Sequence, residues 1–142
     1  MNDKLKVLII DDHPLMRRGI QQLVELEEGF EVVGDAGNGS EGINLALQTS
    51  PDLIILDLNM KGLSGLDTLK ALRAEDVDAR IVILTVSDAK NDIFTLIDAG
   101  ADGYLLKDTE PDTLLSQLKR IAQGEVILSD SIKNLLLERQ SS

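Results

Sequence analysis

The chain of 142 residues carries 25 acidic against 14 basic side chains, a formal net charge of −11 at pH 7. That balance excludes the segment from gripping DNA or an anionic membrane unaided, since both need clustered Lys and Arg. The absence of cysteine excludes disulfides and thiolate metal sites. The apolar 43% includes only two Phe, one Tyr and no Trp, so the core is one of Val, Ile, Leu and Ala, which suits helices layered on a sheet. The length fits one domain. The apolar run at 7–10 is too short for a signal-peptide core and no stretch reaches a membrane span, so a soluble cytoplasmic protein is expected.

Residues 6–10 are an apolar run that reads as a buried strand, and it ends in two acids, Asp11 and Asp12. Pro14 opens a helix with His13 near its cap, and Leu15, Ile20, Leu23, Val24 and Leu26 stripe it to about residue 27. Residues 30–34 read as a strand nearer the sheet edge and 40–49 as a short helix. Pro51 then restarts the chain into Leu53, Ile54, Ile55 and Leu56, a second buried strand with Asp57 at its C-terminal end. A helix is predicted from Ser64 to about Glu75, and a strand over 80–85 that ends in the hydroxyl of Thr85. Residues 92–99 are predicted helical with Gly100 as the stop. A fifth strand over 103–107 ends in the cation Lys107, and Pro111 opens a last helix that stops near Gly124.

Five strands alternating with five helices across short loops predict an α/β doubly wound parallel sheet. Right-handed crossovers put every strand's C-terminal end on one edge, where ligands gather in such sheets. That edge collects Asp11, Asp12, Asp57, Thr85 and Lys107. Asp57 alone reads equally well as the cap of a turn; the convergence of the others favours a site.

Three carboxylates in one place repel, and a hard divalent cation removes the difficulty. Mg²⁺ takes oxygen ligands and needs only one or two protein carboxylates, so Asp12 and Asp57 are the expected direct ligands with Asp11 further out. A main-chain carbonyl at Asn59 is the expected third protein oxygen. An ionised Asp57 is a nucleophile toward phosphorus, giving an aspartyl phosphate whose oxygens the metal and Lys107 would offset. Formal charges sum to about zero before transfer and to about −1 once a dianionic phosphoryl group replaces the charge of Asp57. The modified site then seeks a donor, and the hydroxyl of Thr85 is the nearest expected one.

The segments Asp11-Asp12-His13-Pro14, Leu56-Asp57-Leu58-Asn59-Met60 and Gly100-Ala101-Asp102-Gly103-Tyr104-Leu105-Leu106-Lys107-Asp108 resemble the response-regulator receiver domain of two-component signalling. The likeness is to its NarL/FixJ branch and within it to the nitrate/nitrite response regulators, over residues 5 to about 128. It implies the flavodoxin-like receiver fold with strand order 2-1-3-4-5. It also implies that Asp57 accepts phosphate from a sensor kinase histidine, that Asp11, Asp12 and the Asn59 carbonyl join Asp57 in holding Mg²⁺, and that Thr85 and Lys107 bind the phosphoryl group. Tyr104 matches the aromatic that changes rotamer as Thr85 moves; without the resemblance it reads as plain core. The family usually has Pro where Lys61 and Asp108 stand. Lys61 reads as a solvated surface cation, and the peptide bond before Asp108 is expected trans, since a cis bond without Pro costs roughly 2.5–4 kcal/mol. His13, the only histidine, reads as a neighbour of the helix cap and not as a metal ligand or relay residue.

Two rivals share parts of this pattern. A phosphatase of the haloacid-dehalogenase type also uses a strand-end Asp with Mg²⁺, but wants a second acid where Asn59 stands, so rapid turnover is disfavoured and the chain is not expected to be an enzyme. A flavodoxin-like nucleotide binder needs N–H-rich residues where Asp11-Asp12-His13-Pro14 stands. Residues 1–124 are expected to form the receiver, and 125–142 a linker with a short helix over 130–139 that leads to a helix-turn-helix output domain absent here. A stand-alone receiver is the alternative. The expected partners are a sensor histidine kinase, a second copy of the chain, and DNA only through the absent domain; no membrane is expected.

Overall fold

A computed structural model describes residues 4–58, 60, 62–85, 90–107, 109–124, 127–128 and 137, with backbone alone for 90–93 and 127–128. The elements are β1 (Leu5–Ile10), α1 (Pro14–Glu25), β2 (Phe30–Ala36), α2 (Gly39–Thr49), β3 (Leu53–Asp57), α3 (Gly65–Ala74), β4 (Arg80–Thr85), α4 (Lys90–Asp98), β5 (Gly103–Leu106), α5 (Pro111–Ala122) and β6 (Ile127–Leu128). Every strand pair is parallel. The sheet order is β2-β1-β3-β4-β5-β6. The first five strands stand in the anticipated order, with β2 at the edge, and all five anticipated helices are present.

β6 was not anticipated. Two residues carry no periodicity to read, but their main chain pairs Ile127 with Gly103 and Leu128 with Tyr104, covering an edge of β5 that would otherwise present open hydrogen-bonding groups. The Asn59 carbonyl, Lys61, the peptide bond before Asp108 and, apart from the helical Leu137, the expected helix over 130–139 lie outside the described residues.

Side-chain alternation splits the core between the faces of the sheet. Leu8, Ile10, Ile54, Leu56, Ile81, Ile83 and Tyr104 face α2, α3 and α4, where Ala46, Leu69, Leu72 and Leu96 meet them. Val7, Ile9, Leu53, Ile55, Val82, Leu84 and Leu105 face α1 and α5, where Ile20, Val24, Leu114, Leu118 and Ile121 close the layer. Each Leu or Ile buried this way contributes about 1.5–3 kcal/mol. Both faces are covered, which explains why β1 and β3 read as continuous apolar runs and not as alternating ones.

Local chemistry sets the helix ends. Asn38 Oδ1 accepts from Glu41 N at 2.8 Å and Ser64 Oγ from Asp67 N at 3.1 Å, and Pro14 and Pro111 open α1 and α5. Gly100, at φ +109°, turns the chain out of α4, and its N–H and that of Ala101 return to the carbonyls of Ile97 and Leu96, both at 3.1 Å. Among the described residues no helix is long and apolar enough to cross a membrane.

At the N-terminal edge of the sheet Arg73 ties three segments together. Its guanidinium donates to the carbonyls of Val77, Ala79 and Gly100 and, at 2.8 Å, to Asp102 Oδ2, which also accepts from Ile81 N at 2.9 Å. This knot joins the end of α3 to the starts of β4 and β5.

Candidate functional site

The opposite edge holds the acids. Asp11 follows β1 directly, and its N–H continues the ladder to Ala36 O at 3.0 Å. Arg17, one turn into α1, donates from Nη1 to Asp11 O at 2.7 Å while its Nε lies 3.4 Å from Asp35 Oδ1. The loop carrying Asp11 and Asp12 is thereby clamped between α1 and β2. Asp11 Oδ1 accepts from His13 N at 2.9 Å, and Asp11 Oδ2 is buried and accepts no hydrogen bond.

Asp57 is the last residue of β3 and is buried. The chain beyond it stays in the sheet for one more step, Leu58 N donating to Leu84 O at 3.3 Å, and then passes over the start of α3, where Gly65 N donates to Leu58 O at 3.1 Å. A Cβ at Gly65 would stand 2.6 Å from Asp57 O and 2.7 Å from Leu58 Cα, so only glycine lets the helix approach the loop this closely.

Lys107 reaches in from the turn after β5. Its Nζ lies 3.1 Å from Asp57 Oδ1 and 3.5 Å from Asp11 Oδ2, and its side chain is 7% exposed. The backbone N–H of Lys107 donates to Thr85 O at 2.7 Å, which fixes the ends of β4 and β5 against each other. Thr85 is fully buried and sits one residue beyond Leu84, the register partner of Asp57. Tyr104 is fully buried on β5 opposite Ile83, two residues before Thr85 on the neighbouring strand. All the described site residues of the sequence reading therefore share one edge, with Tyr104 beneath it in the core.

His13 goes further than the sequence reading placed it. It is the N-cap residue of α1, as a cap neighbour should be, yet its side chain makes no capping hydrogen bond. Its ring turns into the acids instead: Nδ1 lies 3.0 Å from Asp12 Oδ1, 3.3 Å from Asp11 Oδ1 and 3.8 Å from Asp57 Oδ2. One donor atom each from Asp11, Asp12, His13 and Asp57 lie within 4.8 Å of one another. A set of three carboxylates, with a buried Asp11 oxygen that no hydrogen bond satisfies, fits a hard divalent cation. Arg17 also escaped the sequence reading, because nothing local says that an arginine inside a helix bends back to a carbonyl six residues earlier.

A family model described as the response regulator receiver domain matches residues 7–119. The chain belongs to the response regulator receiver family. It is 86% identical over 139 residues to a nitrate/nitrite response regulator protein homolog of Haemophilus influenzae, covering 98% of this chain and 67% of that one. It is 57% identical over 135 residues to the nitrate/nitrite response regulator NarP of Escherichia coli, covering 95% of this chain and 63% of the relative. The chain thus spans about two thirds of the length of these curated relatives. In three dimensions this receiver superposes on a LuxR-family two-component response regulator from Aurantimonas with a TM-score of 0.89 at 29% identity, over 98% of this chain and 99% of the other. Its named relatives are signalling regulators of the nitrate/nitrite group, in line with the resemblance that the motifs carried.

Proposed function

We propose that the chain is the phosphorylation switch of a nitrate/nitrite-responsive two-component system, with Asp57 as phosphoacceptor and a sensor kinase phosphohistidine as donor. The observation that carries this is the placement of Asp57 between a lysine and an acid cluster: Oδ1 is 3.1 Å from Lys107 Nζ, and Oδ2 faces Asp11, Asp12 and His13. An Asp57 oxygen attacks phosphorus, the P–O bond forms as the P–N bond to the donor histidine breaks, and the proton needed by the departing imidazole comes with the donor or from solvent. Asp11, Asp12 and Asp57, with the Asn59 carbonyl, would hold Mg²⁺, which when bound supplies positive charge beside the phosphoryl oxygens.

Lys107 supplies a second cation that is already oriented, at the cost of its contact with Asp57. The hydroxyl of Thr85 answers the extra negative charge of the phosphorylated state, and the space it leaves or fills alters the packing of Tyr104. The outcome is a modified receiver and not steady turnover. In the longer protein the signal would pass through residues 125–142 to a DNA-binding output segment, with self-association of the receiver as one route, all in the cytoplasm.

The test is intact mass after incubation with acetyl phosphate or phosphoramidate. One phosphoryl group is expected in the presence of Mg²⁺, and none after chelation or in Asp57→Asn. Equal labelling of that variant would overturn the assignment. Sustained phosphate release would instead favour a phosphatase.

A further inference from the structure

His13 occupies a position that helix capping does not explain. The N-cap role is filled by its backbone, at φ −96° and ψ 108°, while the side chain is turned away from the helix N–H groups and into the acids. The His13 side chain is 65% exposed, so packing does not force it there. Nδ1 instead joins three carboxylate oxygens in a group spanning 4.8 Å. Two donors at about 2.1 Å on one tetrahedral ion lie about 3.4 Å apart, so Nδ1, at 3.0, 3.3 and 3.8 Å from its three oxygens, stands near ligand spacing from every acid, while the group as a whole has to contract by up to about 1.4 Å.

An imidazole nitrogen adds little for Mg²⁺, which keeps oxygen ligands and water, whereas it suits first-row ions of borderline character such as Zn²⁺ and Ni²⁺. We infer that His13 is a protein ligand for nitrogen-preferring divalent ions, so that the receiver's acid cluster serves as an all-oxygen site for Mg²⁺ and as a mixed carboxylate and imidazole site for Zn²⁺ and similar ions. His13 thereby sets how far the site favours nitrogen-preferring ions over Mg²⁺. This rests on the reading of Asp11, Asp12 and Asp57 as a metal-binding set. It extends that reading to the one side chain of the cluster that the phosphorylation chemistry does not use.

The experiment is calorimetric titration of the tag-free 142-residue chain, and of its His13→Ala and His13→Gln variants, with Mg²⁺ and separately with Zn²⁺. Both variants are expected to weaken Zn²⁺ binding at least about tenfold, equivalent to about 1.4 kcal/mol, while Mg²⁺ affinity changes less than about threefold. His13 is the only histidine. In ¹⁵N-labelled wild type its Nδ1 resonance should therefore move to the metal-bound position on adding Zn²⁺, while Mg²⁺, which takes over the Asp11 and Asp12 oxygens beside it, should shift it without that signature. An unchanged ratio of Zn²⁺ to Mg²⁺ affinity in both variants, or a Nδ1 signal indifferent to Zn²⁺, overturns the role of His13. Failure of the wild type to bind Mg²⁺ would instead count against the metal reading under Proposed function, and the Zn²⁺ arm would still decide for or against His13.

Discussion

The ammonium of Lys107 is shared by two carboxylates, 3.1 Å from Asp57 Oδ1 and 3.5 Å from Asp11 Oδ2. One cation against three acids leaves the edge with surplus negative charge, and like charges this close destabilise the fold unless a counter-ion joins them. Mg²⁺ at ten times its Kd should therefore stabilise the chain against urea by about 1.4 kcal/mol. Asp12→Asn, which removes one of the repelling charges and leaves both contacts of Lys107, should raise stability in chelator and lose most of the Mg²⁺ increment. Urea midpoints with and without Mg²⁺ check both. A larger Mg²⁺ increment in the variant would contradict the account.

Thr85→Ala should still accept phosphate on Asp57, because the nucleophile, Lys107 and the acids all remain. The coupling to Tyr104 should fall, since a modification moves a two-state element only through its differential contacts, and in the proposed switch the hydroxyl is that difference. Amide shift changes on phosphorylation should shrink around Tyr104 and persist around Asp57. Changes as extensive as those of the wild type would remove Thr85 from the relay.

Gly65→Ala places a Cβ 2.6 Å from Asp57 O, and the obstructing atoms are backbone that no rotamer change can move aside. A loss of about 1–3 kcal/mol is expected from the forced displacement. The loop that presents Asp57 should shift with it, slowing labelling by phosphoramidate in the folded protein. Full stability and full labelling rate together would show that α3 can retreat freely.

Arg73→Ala should cost about 2–4 kcal/mol in urea unfolding, because it strips a charged donor from three carbonyls and Asp102 at once. The knot lies at the strand starts, across the sheet from Asp57, so the labelling rate of the folded variant should match wild type. A large drop in labelling at unchanged stability would reverse that division between the two edges.

The net charge of −11 on 142 residues leaves this chain without the clustered cations that DNA affinity needs. An electrophoretic shift assay at low salt should show no complex, with or without phosphodonor. Tight, salt-sensitive binding would place the DNA-contacting surface inside the receiver itself.

The sequence by itself determined the order of the strands' chemistry. Apolar runs buried on both faces, Pro14, Pro111 and Gly100 as helix punctuation, and acids, a hydroxyl and a lysine at successive strand ends are local features, and parallel winding brings such ends to one edge. Family motifs added the expected relay from Thr85 to Tyr104, which no periodicity carries. Only the tertiary structure decided which atoms meet. The turn of the His13 ring toward Asp12, the return of Arg17 to Asp11 O, the reach of Arg73 to Gly100 and Asp102, and the pairing of Leu128 with Tyr104 each depend on a side-chain rotamer or a main-chain edge that other segments complete. Such contacts are fixed by the surroundings of a residue after folding, and its sequence neighbours hold no record of them.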